Sequence, residues 1–432
     1  MKHVFRFEWL HAKNSGRFWV TALMLPALIG FSLYLGSERV EQQHHTIQEL
    51  RTAEASFYEE KKLELQAIER GEAEADVWWQ NPANPLALGQ FRGSGKHVFL
   101  EPRPLAALAA GQLDIRPYYG RVTMMDVQPL RDNALENPFI QAVGVFDFAF
   151  VLVWLVPLFV IVFGYNLLSS ERELGTWALL QSQPVSIHKI LLYKLIFRFL
   201  QILLIVFLSL ILWAIIFGIN LFHTDGLLLL GVTTLYILFW FALCALFNML
   251  ATSSAVNAVS LAGIWVLFLL LIPSIISMLA SAIHPVPSRA LWITEQRAIQ
   301  QAVEAEGDTL FDLWQAEHPE EFVEGETPSF YQTWMQLFVT DSETTRRVRE
   351  AALYFSKPAE SQAALVSSLR PLSPPMWLQS WLERKAGTDA GRLNALDSEL
   401  SDFQEEWNDF FLPRFQRLEF LSSEEYELIP SP

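Results

Sequence analysis

Few residues in this chain have the type and spacing that catalysis or ligand binding requires. Residues 89–96 read Gly-Gln-Phe-Arg-Gly-Ser-Gly-Lys and resemble a phosphate-binding loop. Gln90 and His97, however, stand where that motif needs Gly and then Ser or Thr, so we expect a turn instead. His44 and His45 are adjacent on a charged helical stretch, where neighbours point to different faces, and they make a poor metal pair.

The apolar stretches also lack catalytic groups. No His-Glu-x-x-His pattern is present, and no paired acids or histidines lie within a predicted span, which argues against an intramembrane enzyme. Asp147 and Asp225 stand at ends of spans, where a hydrated carboxylate costs little. The single Cys244 has no partner for a disulfide or a cysteine zinc site. We therefore expect no catalytic residue, metal site or cofactor in this chain.

The composition places the chain in a membrane. Of its 432 residues 52% are hydrophobic and only 18% are charged, whereas a soluble domain carries about 25% charged residues. The formal net charge is −16, and no basic block is present. Nucleic acid is therefore not an expected partner, because phosphate binding needs clustered Lys and Arg.

Five uncharged apolar runs are long enough to cross a bilayer, since about 20 residues span the hydrocarbon as a helix. They cover residues 18–36, 148–168, 199–222, 226–250 and 255–283. The first run follows basic residues and could be a secretory signal. It exceeds the usual length of a signal core and lacks a clear cleavage site, which favours an uncleaved anchor.

The basic residues near the spans set the expected orientation. They lie before the first span and between the second and third, and they are Lys2, Arg6, Lys13, Arg17, Arg172, Lys189, Lys194 and Arg198. Only Glu8, Glu171 and Glu173 oppose them there. The positive-inside rule then predicts a cytoplasmic N-terminus and a cytoplasmic loop between spans two and three. The two large segments, after span one and after span five, would lie outside.

The two outer segments have different patterns. The first predicts a long amphipathic helix over about 38–75, short strands at 97–100 and 121–125, and a helix at 104–110, which together indicate a small α+β domain. The second predicts helices at 288–316, 328–356, 359–369, 376–385 and 392–411, separated by prolines. We expect its tryptophans to be core or membrane-interface residues rather than a ligand cage.

The loop between spans two and three carries the most informative sequence. It reads Glu171-Arg172-Glu173-Leu174-Gly175-Thr176, then a leucine-rich turn, then Pro184-Val185-Ser186 and Lys189. This pattern and the span order resemble the permeases of ABC-2-type transporters. In that family the segment is a re-entrant helical elbow that docks on a separate ATPase subunit. Residues 372–389 resemble the subgroup with large extracytoplasmic insertions of unassigned function.

The residues of the loop alone leave two interpretations open. Gly175 and Thr176 permit a sharp break, and Pro184 with Ser186 marks a second helix start, so the loop could be a stiff lever. It could equally be an amphipathic interfacial loop whose Arg172 and Lys189 contact anionic headgroups. The resemblance favours the lever. It implies a docking surface made of Glu171, Arg172, Glu173, Gly175, Thr176, Pro184, Ser186 and Lys189.

The N-terminal residues fit a helix that lies in the inner membrane interface, with Phe5 and Trp9 as anchors. The ABC-2 permeases have such a helix beside the ATPase, although a plain anchor is an alternative. One feature departs from the family, whose members generally close with a sixth span. Nothing after residue 283 is apolar enough to cross, so either the sequence stops short of that span or the protein has five.

The apolar runs predict an α-helical membrane protein, and the resemblance implies an ABC-2-type (type V exporter-like) transmembrane domain. The expected divisions are an interfacial helix at 1–17, spans at 18–36, 143–168, 195–222, 226–250 and 255–283, a coupling elbow at 169–194, an α+β outer domain at 37–142 and a helical outer domain at 284–432. The resemblance implies a multi-pass permease in the bacterial inner membrane, with ATP and Mg held by a separate ATPase subunit.

The expected partners are that ATPase, a second permease subunit in a homodimer or heterodimer, the lipid bilayer, and an exported substrate or envelope protein at the outer domains. Export is the first hypothesis for the function. The alternative is a non-transporting protein that transmits ATPase-driven motion to an envelope partner, because the large outer segments suit contact with something external.

Overall fold

A computed structural model describes residues 8–10, 13–74, 77–78, 80–91, 93–113, 115–125, 127–129, 146–182, 186–250, 253–319 and 329–432. Within these ranges five helices are long and apolar enough to cross a membrane. Their bounds are Gly16–Glu69, Phe148–Glu173, Ile187–Ile216, Thr224–Leu250 and Ser254–Ile283. The prediction of a helical membrane protein with five spans is thereby confirmed, by length and composition.

The first span continues far beyond the bilayer. Helix α1, Gly16–Glu69, has 54 residues and no interruption, so it is about 81 Å long. The sequence predicted a span that ends at residue 36 and a separate outer helix from about residue 38. The two are one helix because no turn residue stops it at the junction. Gly36 instead lets the backbone of Ala107 approach, since a Cβ there would lie 1.9 Å from the Ala107 oxygen.

The second span lies at the centre of the bundle. It is α3, formed by Phe148–Phe150, a π-helical turn at Val151–Leu155 and Val156–Gly164. Its most apolar window is 61% buried, against 17% for the fifth span, so the other spans pack around it. Phe148, Leu152 and Val160 are fully buried in the same cluster as Trp240 of the fourth span. The fifth span therefore has most of its surface available to lipid or to a second subunit.

A small antiparallel sheet lies in the outer part of the chain, together with a short helix α2 at Pro85–Gly89. Its strands are β1 at Lys96–Phe99, β2 at Tyr119–Val122 and β3 at Val127–Pro129, in that order. The first two lie close to predicted strands, and the third was not predicted. The predicted helix at 104–110 is a single 3-10 turn, Ala106–Leu108.

The free edge of the sheet is covered by helix α1. The backbone amide of His97 in β1 donates to Glu54 Oε2 at 3.1 Å, and Gln43 Nε2 donates to the Leu100 carbonyl at 2.7 Å. An uncovered edge strand is a site for unwanted pairing with other chains. The long helix thus protects this edge and joins the sheet to the first span.

The remaining helices follow the spans. Helix α4 is Ser169–Glu173, α5 is Trp177–Gln181, α6 is Ile187–Ile216, and α7 is Thr224–Leu250. Helix α8 comprises Ser254–Val266, a π-helical turn at Leu267–Leu271, and Ile272–Ile283. Helices α9 to α12 are Arg289–Glu317, Ser329–Leu369, Pro374–Ala386 and Ala390–Gln416.

The sequence predicted a helix break near residue 358 that the structure does not have. Helix α10 continues through Pro358 to Leu369. A proline inside a helix has no amide hydrogen to donate to the carbonyl four residues earlier. Here that carbonyl belongs to Tyr354. Tyr354 is strongly exposed, so water can satisfy that carbonyl. The prediction of two helices was therefore wrong.

The two outer segments share one hydrophobic core, although the sequence predicted two outer domains. Helix α12 packs across the sheet and helix α2, and Trp407 Nε1 donates to the Gly89 carbonyl at 3.1 Å. Val98, Val122, Phe411 and Phe415 belong to one buried cluster. The sheet is too small to enclose a core alone, and the amphipathic helix supplies the missing apolar face.

Helix α11 leaves the outer part of the chain and packs onto the spans. At its start Ser373 Oγ donates to the carbonyl of Phe268 in the fifth span at 2.7 Å. Near its end Lys385 Nζ lies 2.6 Å from Asp225 Oδ1 at the start of the fourth span. Leu378 and Leu382 are buried in the same cluster as the spans. The outer region is therefore fastened to the membrane bundle through α11 as well as through α1.

Candidate functional site

The elbow between spans two and three consists of two short helices, α4 and α5. Helix α4 begins at Ser169 and ends at Glu173, and Gly175 follows with a φ of +74°. That left-handed conformation favours glycine and turns the chain sharply before α5 begins at Trp177. The break therefore falls at the glycine that the sequence indicated, and the third span then begins at Ile187.

Glu171 ties the elbow to the third span. Its Oε1 lies 2.5 Å from Lys194 Nζ, and its Oε2 accepts a hydrogen bond from Thr176 Oγ1 at 2.5 Å. The Lys194 side chain is 8% exposed and that of Glu171 20%, so the pair is largely shielded from solvent. Charge-assisted hydrogen bonds of this length are strong. The carboxylate therefore faces the bundle rather than the outer surface of the elbow.

Glu173 ties the same short helix to the fifth span. Its Oε1 accepts from the backbone amide of Ser254 at 2.6 Å, and its Oε2 accepts from Ser254 Oγ at 2.9 Å. Ser254 begins helix α8, so the carboxylate lies at the positive end of that helix. The Oγ atoms of Ser169 and Ser254 are also 2.8 Å apart. One turn of helix thus contacts two different spans through two acidic side chains.

Two asparagines hold the end of the second span against spans four and five. Asn248 Oδ1 accepts from the Leu168 amide at 3.0 Å, and Asn248 Nδ2 donates to the Gly164 carbonyl at 2.7 Å. Asn257 Nδ2 donates to the Tyr165 carbonyl at 2.9 Å. Both side chains are fully buried. Sequence reasoning did not single them out, although an isolated polar residue in an apolar run is itself a signal of function.

A buried ion cluster lies beside the elbow. Glu8 has its Oε1 at 3.9 Å from Lys194 Nζ and its Oε2 at 3.7 Å from Arg198 Nε. Arg198 Nη1 donates to the Phe163 carbonyl and, at 3.1 Å, to Asn166 Oδ1. In the sequence analysis these basic residues served only to predict the orientation of the spans in the membrane. The structure shows that two of them join the N-terminal segment, the second span and the third span.

The opposite side of the elbow is exposed and partly apolar. Leu174 and Leu179 are 76% and 67% exposed. The Arg172 guanidinium lies 4.4 Å from the centre of the Trp177 ring. A contiguous exposed apolar surface marks a contact with another protein or with the membrane. Lys189 and Ser186, at the start of the third span, are exposed as well.

The structure therefore divides the predicted docking residues into two groups. Glu171, Thr176 and Glu173 form hydrogen bonds within the chain, and Arg172 is half-buried against the Trp177 ring. Ser186 and Lys189 are exposed. Pro184 lies outside the described residues. Of the two predicted anchors, Phe5 also lies outside them. Trp9 is half exposed, with its ring centre 6.3 Å from that of Phe18.

The described residues include no cluster of three or more His, Cys, Asp or Glu side chains that could hold a metal ion. The elbow is exposed on one side, and helix α4 is bonded to spans three and five on the other.

Comparison with known proteins gives one match. A family model described as ABC-2 family transporter protein matches residues 3–382, which covers nearly all of the N-terminal segment, all five spans and most of α11. No curated protein and no solved structure matches the chain.

Proposed function

We propose that this chain, which belongs to the ABC-2 family of transporter proteins, is the permease subunit of an ATP-driven exporter in the bacterial inner membrane. A separate ATPase subunit would bind ATP and Mg and dock on the elbow. A second permease subunit, identical or related, would complete the transport path. The chain itself is a transmembrane subunit without catalytic chemistry.

One observation carries the proposal: the elbow is bonded inward to two spans and presents leucines outward. A partner that buried Leu174 and Leu179 would gain apolar contact area. When that partner moved, the displacement would pass through Glu171 to Lys194 in the third span and through Glu173 to Ser254 in the fifth. These links are short and direct, so they suit the transfer of motion better than a flexible loop would.

The charge distribution supports the proposed orientation. The elbow and the N-terminal segment meet in the same ion cluster, so they lie on one side of the bundle. That side carries most of the basic residues near the spans, which favours the cytoplasm. The sheet and helices α9 to α12 would then be extracytoplasmic.

The elbow contact can be tested by charge substitution at the exposed leucines. The full-length chain carrying Leu174→Asp or Leu179→Asp is expressed with its cognate ATPase and purified through a tag on the chain. We expect either substitution to remove the ATPase from the purified complex, because an aspartate would be desolvated at an apolar contact. Leu353→Asp, at an exposed leucine of helix α10, is the matched control and should retain the ATPase. Unchanged copurification in both elbow variants would contradict the proposal.

A second function, transmission of motion to an envelope partner without transport, is favoured by helix α1. This helix begins at the base of the first span and ends at Glu69 in the outer core, so a tilt of the span would move the outer region with it. Spin labels at Ser401 in helix α12 and at Leu204 on the exposed surface of the third span would measure that movement in the complex. A change in the distance between the two labels upon ATP binding, without transport of any substrate, would favour transmission over export.

A further inference from the structure

A small pocket opens at the basic ends of the first three spans. It is a shallow cleft, partly open at the surface, with a cavity volume of about 30 Å³. Its lining includes Arg17, Phe18, Val162, Phe163, Arg198 and Gln201. Neither the elbow contacts nor the proposed ATPase docking uses this pocket.

The charges around the pocket favour an anion. Glu8, which also lines it, is shared between Lys194 and Arg198, while Glu171 takes the closer position beside Lys194. The three cations Lys194, Arg198 and Arg17 therefore face two carboxylates, so one positive charge is in excess. No hydrogen bond or ion pair joins Arg17 to another described residue, and it lies where its charge repels that of Arg198.

A hydrogen-bond donor in the lining also lacks an acceptor. Gln201 Nε2 is buried and has no hydrogen-bond partner among the residues that the structure describes. A buried donor without an acceptor is costly and usually marks a missing water, ion or ligand. An oxyanion beside Arg17 and Arg198 would satisfy this amide as well as the excess positive charge.

The remaining walls indicate the kind of oxyanion. Phe18 and Val162 are apolar, and Val162 is 42% exposed on the side of the second span that faces outward from the bundle. A free ion would gain nothing from these surfaces, whereas acyl chains would pack on them. Basic pockets between membrane helices at the headgroup level are suited to anionic lipids. We propose that the pocket binds the phosphate headgroup of an anionic phospholipid, with Arg17, Arg198 and Gln201 as its contacts.

The test uses the purified full-length chain and does not depend on an ATPase. The protein is reconstituted with phosphatidylglycerol or with phosphatidylcholine, and the thermal midpoint and the lipid retained in native mass spectrometry are measured. We expect phosphatidylglycerol to raise the midpoint and to be retained, and Arg17→Gln to weaken its binding about fivefold, the effect of one basic residue near a membrane surface. Gln201→Leu, which keeps every charge, should also weaken it.

Lys13→Gln is the matched control, because Lys13 is exposed and lies four positions before Arg17, outside the pocket lining. It should retain phosphatidylglycerol as the unmodified chain does. An equal loss in Lys13→Gln and Arg17→Gln would indicate general surface charge and would overturn the proposal. So would equal retention of phosphatidylcholine. Inorganic phosphate that gives the same rise in midpoint without lipid would show that the pocket takes free phosphate instead.

Discussion

Glu171 in the elbow and Lys194 in the third span form an ion pair with 2.5 Å between Oε1 and Nζ. Glu8 adds a second carboxylate at 3.9 Å from the same ammonium group. A lysine with so little exposure must be neutralised by partners, and the nearer partner belongs to the elbow. The buried charge of Lys194 in the third span needs a nearby carboxylate, and its pairing with Glu171 therefore holds the elbow in position.

Loss of the Glu171 carboxylate should destabilise the protein. Glu171→Gln leaves Lys194 with the distant Glu8 alone, and we expect a cost of about 3 kcal/mol, as for a broken buried pair. Thermal unfolding of the purified chain measures it. The control is Glu350→Gln, which removes an exposed ion pair with Arg346 and should cost less than about 1 kcal/mol. Equal effects of the two substitutions would contradict a structural role for the Glu171 pair.

Glu173→Ala should loosen the start of the fifth span. The substitution removes the two carboxylate oxygens that accept from the Ser254 amide and hydroxyl, and we expect a loss of about 1 kcal/mol, typical of a helix cap. Hydrogen exchange measured by mass spectrometry should speed up at the start of helix α8, while exchange near Ser373 stays unchanged. Unaltered exchange in peptides that begin at Ser254 would show that this contact does not hold the helix.

Ser373→Ala should weaken the attachment of helix α11 to the spans. Ser373 is fully buried, caps α11 through the Met376 amide at 3.3 Å, and bonds the Phe268 carbonyl. We expect a loss of about 2 kcal/mol in thermal unfolding, because a cap and a buried hydrogen bond disappear together. Ser288→Ala, which removes only an exposed cap on helix α9, should cost about half as much. A smaller effect at Ser373 than at Ser288 would argue against the attachment.

The stability of helix α10 should depend on pH through Glu343, whose partners Arg346 and Arg347 lie on the same helix. Two-point bonding by Arg346 Nε and Nη2, with further contact from Arg347, lowers the pKa of Glu343 from 4.5 to about 2. Because the pKa is lower in the folded state, the stabilisation is complete above pH 4.5 and is lost as the pH falls through about 2. Arg347 Nη2 also bonds Glu306 on α9 at 2.7 Å.

The matching variant is Glu343→Gln, which cannot titrate. The difference in thermal midpoint between the unmodified chain and this variant should be constant above pH 4.5 and should shrink toward pH 2. A difference that grows on acidification would give the wrong sign and would exclude this ionic origin.

The sequence predicted the spans and the elbow because both have local signals. Long apolar runs identify membrane helices, and Gly175 marks a turn whatever surrounds it. The prediction of two helices that meet near Gly36 was wrong for a physical reason. The residues on both sides of Gly36 favour a helix, so the first span continues into the next segment without a break. The common core of the two outer segments depends on contacts such as Trp407 with Gly89, which are 318 positions apart and leave no local pattern.

The inward direction of Glu171 and Glu173 was also beyond local sequence reasoning. A five-residue helix is too short for its periodicity to indicate which side is buried. Their partners, Lys194 and Ser254, come from different spans, so the direction follows only from the assembled bundle. The resemblance to a family predicted a docking segment but could not divide it into residues bonded within the chain and exposed residues.

The central proposal, that the elbow is the docking surface for an ATPase, is tested most directly by photo-crosslinking in cells. A photoreactive amino acid replaces Leu179 in the full-length chain, and Leu204, exposed on the apolar surface of the third span, serves as the control position. We expect Leu179 to crosslink to a protein with a nucleotide-binding motif, identified by mass spectrometry, and Leu204 to crosslink to no such protein. Crosslinking at Leu179 that yields only lipid or an extracytoplasmic protein would contradict the proposal.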